Sequence, residues 1–146
     1  MRYLGLDWGE ARIGVALSDE TATLASALLT LPRVGPRRDV KAVASLVREH
    51  GVGTVVVGLP LRLDGSAGSQ AEKVEAFAAS LRRSLGVPVV TWDERLTSVA
   101  ADELLAEAGV RRRDRKSRID KAAAALILQG YLDSGRAGSP SPGGTP

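Results

Sequence analysis

Cysteine is absent from all 146 residues. Disulfides, thiolate metal sites and a cysteine nucleophile are thereby excluded, and a reducing compartment, the cytoplasm, is the expected setting. Histidine is nearly as scarce, with His50 standing alone and far in sequence from every candidate acid named below. One imidazole without a second makes a hydrolytic triad a poor reading, and its place at the end of a predicted helix suits a helix C-terminal residue. Long apolar runs are missing as well. No stretch approaches the roughly 20 residues that cross a bilayer, and the amino terminus lacks the basic, apolar, small-residue order of a secretion signal, so neither membrane insertion nor export is expected.

What is present is enough for one ordinary domain. At 44% hydrophobic residues the chain can bury a core without staples. Net charge is +3 and the sequence pI is near 9.7, but the placement of charge says more. Arg111, Arg112, Arg113, Arg115, Lys116 and Arg118 surround a single acid, Asp114, giving a local +5 and leaving −2 for the rest of the chain. A basic strip on a mildly acidic body is the footprint of a polyanion-binding surface, although such runs are also met as solvated loops.

Tyr3 to Asp7 and Arg12 to Ser18 flank Trp8-Gly9-Glu10-Ala11 and read as a hairpin. A third strand is expected near Leu24 to Leu31, ended by Pro32. Val40, Val43, Ala44 and Val47 then recur at helical spacing. Thr54 to Gly58 is short, β-branched and bounded by glycines, as a strand buried on both faces would be. Ser69 and Glu72 form a capping box opening a helix whose stripe is Val74, Phe77, Ala78, Leu81 and Leu85, closed by Gly86. Val87 to Trp92 makes another strand. Thr97 or Ser98 can cap a further helix ended by Gly109, the basic run follows as a connector, and a buried helix spans about Ile119 to Leu132. There is no internal repeat. Residues 134–146 are rich in glycine, proline and serine and are expected to be a disordered tail on a domain spanning 1–133. The element order argues for a mixed sheet covered by helices.

In such sheets ligands gather at the carboxyl ends of strands. Asp7 ends the first strand, and Asp93 and Glu94 end the last, so their carboxylates would share a crevice if those strands lay side by side. Each has a plain alternative, a turn aspartate for Asp7 and a polar loop for Asp93-Glu94-Arg95. Asp120 heads the apolar stripe Ala123, Ala124, Ile127 and Tyr131, which turns it inward, where an unpaired charge is costly unless a cation or donors meet it. An acid favoured by the helix dipole is the competing explanation. Oxygen donors without histidine or cysteine match Mg2+ or Mn2+.

Four blocks carry a resemblance over about Arg2 to Leu132: GLDWGEARIGVALSD from Gly5, VVVGLPLRLDGSAGSQAEKVEAFAASL from Val55, TWDERLTSVAADELL from Thr91 and RIDKAAAALILQGYL from Arg118. In this order they resemble the YqgF/RuvX family, the Holliday junction resolvase-like, pre-16S ribosomal RNA nucleases of bacteria. The resemblance implies an α/β, ribonuclease H-like fold, a mixed five-stranded sheet flanked by helices in which the first three strands form an antiparallel meander and two more join in parallel. It places the family's three acids on Asp7, Glu94 and Asp120, without fixing whether Asp93 or Glu94 faces the metal. The implied reaction is phosphodiester hydrolysis with two metal ions, Asp7 bridging them, while the basic run and Arg95 hold neighbouring phosphates. The implied substrate is the 5′ end of precursor 16S ribosomal RNA, with four-way DNA, cut by a symmetric homodimer, as the alternative and a non-catalytic nucleic-acid-binding factor as the other. An ATP-binding fold of the actin and sugar kinase type shares the opening hairpin, but it needs two such domains.

Overall fold

The computed structural model describes residues 1–62, 64–94 and 112–135, with the side chains of 112–121 outside that set. Five strands form one sheet: β1 (Arg2–Trp8), β2 (Arg12–Ser18), β3 (Ala25–Pro32), β4 (Val52–Leu59) and β5 (Val89–Asp93). Its order is β3-β2-β1-β4-β5. β1, β2 and β3 run as an antiparallel meander, and β4 and β5 join parallel to β1, the mixed sheet expected from the resemblance. The three described helices are α1 (Pro36–His50), α2 (Ser69–Ser84) and α3 (Arg112–Asp133).

Alternation along β1 divides the core into two layers. Leu4, Leu6 and Trp8 face α1 and α2, where they meet Val43, Leu46, Val74, Phe77 and Leu81. Tyr3 faces the other way, with Val56 and Val90, onto Ala124, Ile127, Leu128 and Tyr131 of α3. The α3 layer can be thin because Gly5 has no side chain; a Cβ there would stand 2.8 Å from the Leu128 Cβ and 3.1 Å from the Ala124 carbonyl oxygen. Tyr131 packs against Tyr3 at 5.9 Å between ring centroids, near the start of β1. With Ala124 over Gly5 and Tyr131 over Tyr3, α3 runs against β1, and its amino-terminal half lies towards the carboxyl end of that strand.

Several local expectations need correction. Ser69 and Glu72 make no capping box: α2 begins after Gly68 without a side-chain cap, and the Glu72 amide donates to the Gly68 carbonyl at 3.0 Å. Ser69 is already inside the helix, where its hydroxyl is badly placed to cap it. The helix ends at Leu85 in an extended conformation rather than on a left-handed Gly86, whereas Gly51, at φ 63, does close α1 directly after His50. The basic residues Arg112, Arg113, Arg115, Lys116 and Arg118 are not a connector but the first turns of α3. Arginine and lysine are good helix formers, and no glycine or proline interrupts them, so the apolar stripe underestimates the helix length. The predicted helix after Thr97 and the tail from 136 onward lie outside the described residues.

Candidate active site

Asp7 lies on β1 opposite Gly14 of β2. On the other side Leu6 pairs with Val57, so Gly58 of β4 comes level with Asp7 one residue later. Strand alternation puts the Asp7 side chain on the α3 face, the face of Tyr3 and Gly5. Both directly opposite cross-strand neighbours of this half-buried aspartate are therefore glycines.

β1 and β5 do not lie side by side, as a shared crevice had seemed to require, because β4 stands between them. Gly58 removes the obstacle. It pairs with Trp92 on β5, and a Cβ built on it would lie 2.5 Å from Glu94 Oε2 and 2.5 Å from Ile127 Cδ1. The Glu94 carboxylate thus occupies space over β4 that any other residue at 58 would fill. Its backbone remains tied to the sheet, the Glu94 amide donating to the Leu59 carbonyl at 3.2 Å. Val90 and Trp92 face α3, and alternation carries Glu94 to that same face and Asp93 to the opposite one. Sequence reasoning missed Gly58, although a glycine at the end of Thr54-Val55-Val56-Val57 signals the close approach of another group.

Burial pushes the Glu94 carboxyl up to about 7, with the neighbouring Asp93 charge acting in the same direction. An acid held in this state needs a cation or donors to be ionised comfortably near neutral pH. Asp120 lies one turn before Ala124 on α3, towards the carboxyl end of β1, so its backbone approaches the end of the sheet where Asp7 and Glu94 lie; its side chain is outside the described set. Among the described residues no group of three histidine, cysteine, aspartate or glutamate side chains is assembled. Arg95 and Arg111 also lie outside the described residues, and for the other basic residues of the run only the helical backbone is described. The donor chemistry at Asp7 and Glu94 is oxygen alone, with one carboxylate seated in a steric cradle, and that fits a hard divalent cation such as Mg2+ or Mn2+.

Replacing Gly58 with alanine should displace either Glu94 or the Ile127 side chain, at a stability cost of about 1–3 kcal/mol. Pairing it with Ile127→Val should recover part of the melting temperature but not the activity, because the added methyl still contests the Glu94 site. Full activity in Gly58→Ala would show that Glu94 is not required where it sits.

The chain matches the RuvX family, described as Holliday junction resolvase, over residues 1–134. It is 54% identical over 134 residues to a protein of Syntrophus aciditrophicus (strain SB) whose name proposes a pre-16S rRNA nuclease; the match spans 92% of this chain and 89% of the relative. A protein of Halalkalibacterium halodurans with the same name is 51% identical over 135 residues, spanning 91% and 96%. Among solved structures, RuvC of T. thermophilus in complex with a Holliday junction superposes with a TM-score of 0.59 at 19% identity, covering 92% of this chain and 96% of that one. The Fowlpox virus resolvase with its junction DNA gives 0.57 at 12% identity, covering 92% and 98%. At such identities the likeness is one of fold, the ribonuclease H-like fold. No helix among the described residues is long and apolar enough to cross a membrane.

Proposed function

The chain belongs to the RuvX family, a family of hydrolases acting on nucleic-acid ester bonds, and on that premise we propose that it cuts the 5′ end of precursor 16S ribosomal RNA with Mg2+ or Mn2+ held by Asp7, Glu94 and Asp120. The observation that carries the site is the Glu94 carboxylate cradled over Gly58, on the same face of the sheet as Asp7. When bound, divalent cations at these acids supply an activated water and neutralise charge on the scissile phosphate. Asp7 and Asp120 would contribute carboxylate oxygens, and Glu94 would give up its proton to complete the set. Ile127, whose Cδ1 crowds the same space over Gly58 as Glu94 Oε2, supplies apolar surface beside the carboxylate. Arg95 and the basic run hold flanking phosphates, contacts that confer affinity with little sequence choice.

A four-way DNA junction, resolved by a symmetric homodimer, is the second reading. The family description and the junction-bound structural neighbours favour it. Cleavage of a precursor 16S transcript and of a mobile junction, each with Mg2+ and with Mn2+, separates the two. Specific cleavage at the precursor 5′ end supports the first reading, and paired nicks in the junction support the second. Absence of turnover on both, across a full panel of metals, would instead favour a binding factor.

Changing Arg112, Arg113, Arg115 and Lys116 together to glutamine should weaken binding across many sequences and lower the salt slope by roughly one for each lost phosphate contact. Turnover of bound substrate should change less. An unaltered slope would mean that these side chains are only solvated. Residues 1–133 are proposed as the nuclease domain, so deleting 134–146 should leave melting temperature and cleavage as they were; a loss of either would show that the tail packs.

A further inference from the structure

On the face of the sheet opposite Asp7 and Glu94, α1 and α2 enclose a groove of about 630 Å³. Its walls carry Arg37 and Lys41 from α1 and Arg83 from α2, with the Ser80 and Ser84 hydroxyls between them and no acid among the lining residues. Arg37, Lys41 and Arg83 are all exposed, and none forms an ion pair within the described residues; Arg83 only donates to Ser80 Oγ at 3.2 Å. The other cations nearby are already engaged. Arg33 is bound to the buried Asp39 at 2.7 Å and lies 4.3 Å over the Trp8 ring, and Lys73 is paired with Glu10 at 2.8 Å. These two residues line a smaller hollow of about 130 Å³ that shares Pro36 and Ser80 with the groove. That hollow lies beside Trp8, the residue after Asp7, so the depressions together lead from the catalytic end of β1 along the back of the sheet.

Three uncompensated cations and two hydroxyl donors in an open, elongated depression match a string of phosphates better than a single small anion. We infer that the α1–α2 groove is a second nucleic-acid contact, holding the phosphodiester backbone of a substrate arm that extends away from the cleavage site. This rests on the nuclease reading above, from which it adds a reach requirement. A substrate long enough to enter the groove is bound through Arg37, Lys41 and Arg83, and a short one is not.

The test is the salt dependence of binding to four-way DNA junctions and to precursor 16S 5′-end RNA, each with long and with short arms, measured in chelator so that no cleavage occurs. Three lost contacts lower the slope of log K against log salt by about 2.7, which makes the loss of affinity between 50 and 200 mM salt roughly 40-fold smaller in the variant than in the wild type. Arg37→Gln/Lys41→Gln/Arg83→Gln should show this drop on long arms and much less of it on short ones. Arg38→Gln/Arg48→Gln, which neutralises exposed α1 cations outside the groove lining, should leave the slope nearly unchanged. A wild-type slope in the triple variant overturns the inference and leaves the groove to an acidic protein partner. An equal fall in the Arg38/Arg48 variant also overturns it, as a general effect of charge. Metal-dependent cleavage by the wild type is assayed in parallel. If the wild type cleaves while the triple variant keeps its slope, only the groove assignment fails; if the wild type neither binds nor cleaves, the nuclease reading fails first.

Discussion

Asp7→Asn should lower metal-dependent cleavage by about a thousandfold or more, because on the proposed function it removes a metal-ligating charge while keeping the shape of the side chain. The fold should be intact, since β1 is held by backbone pairing with β2 and β4 and by Leu4 and Leu6 beneath. Stability supplies an independent reading. Without metal, loss of one acid from the proposed set of Asp7, Glu94 and Asp120 should hold or raise the melting temperature, if their charges repel as the proposal requires. With added Mn2+ the wild type should gain stability by mass action, and the variant should gain little. Full metal-dependent activity in Asp7→Asn would remove the assigned site.

Glu94→Gln should be nearly as damaging, whereas Asp93→Asn should leave a measurable rate at saturating metal. The two acids are adjacent, but only Glu94 lies on the α3 face over Gly58. Their pH behaviour separates them further. Burial, then the Asp93 charge, raises the Glu94 carboxyl from 4.5 to about 7. The folded protein therefore holds a proton that the unfolded chain releases near 4.5. The stability tied to that proton is fully present below 4.5 and is lost as pH rises to about 7, on the order of 3 kcal/mol in all. Melting of the metal-free wild type should fall between pH 5 and 8, and Glu94→Gln should flatten that fall. Because the proton must leave before a cation binds, metal affinity should climb over the same interval. A pH profile of Glu94→Gln identical to that of the wild type, together with full activity, would mean that Asp93 is the ligand and Glu94 the support.

The sheet was readable because its signals are local. Two β-branched runs around Trp8-Gly9-Glu10-Ala11 make the hairpin, and the glycine-bounded Thr54 to Gly58 makes the central parallel strand. Asp7 could be singled out as a candidate because it sits near the carboxyl end of a strand, where a polar residue breaks the apolar pattern. The placement of Glu94 on the same face as Asp7 was harder to see, because it depends on which strands are neighbours. β4 intervenes, and the carboxylates can share a face only because residue 58 is a glycine, which a reading of charged residues passes over. Helix ends were read poorly where the chemistry was ambiguous: Ser69 can cap or enter a helix, and the backbone chose the second. The extension of α3 back to Arg112 escaped notice because amphipathic spacing reports the face that packs on the sheet, while the preceding turns form without an apolar stripe.

The most direct measurement is the anomalous scattering of crystals grown with Mn2+. Its peaks should lie on the α3 face of the sheet at the carboxyl end of β1, bounded by the carboxylates of Asp7, Glu94 and Asp120, and should vanish in Asp7→Asn. Manganese bound at Asp93 on the opposite face, or ordered density for all three acids with no manganese among them at saturating concentration, would contradict the assignment.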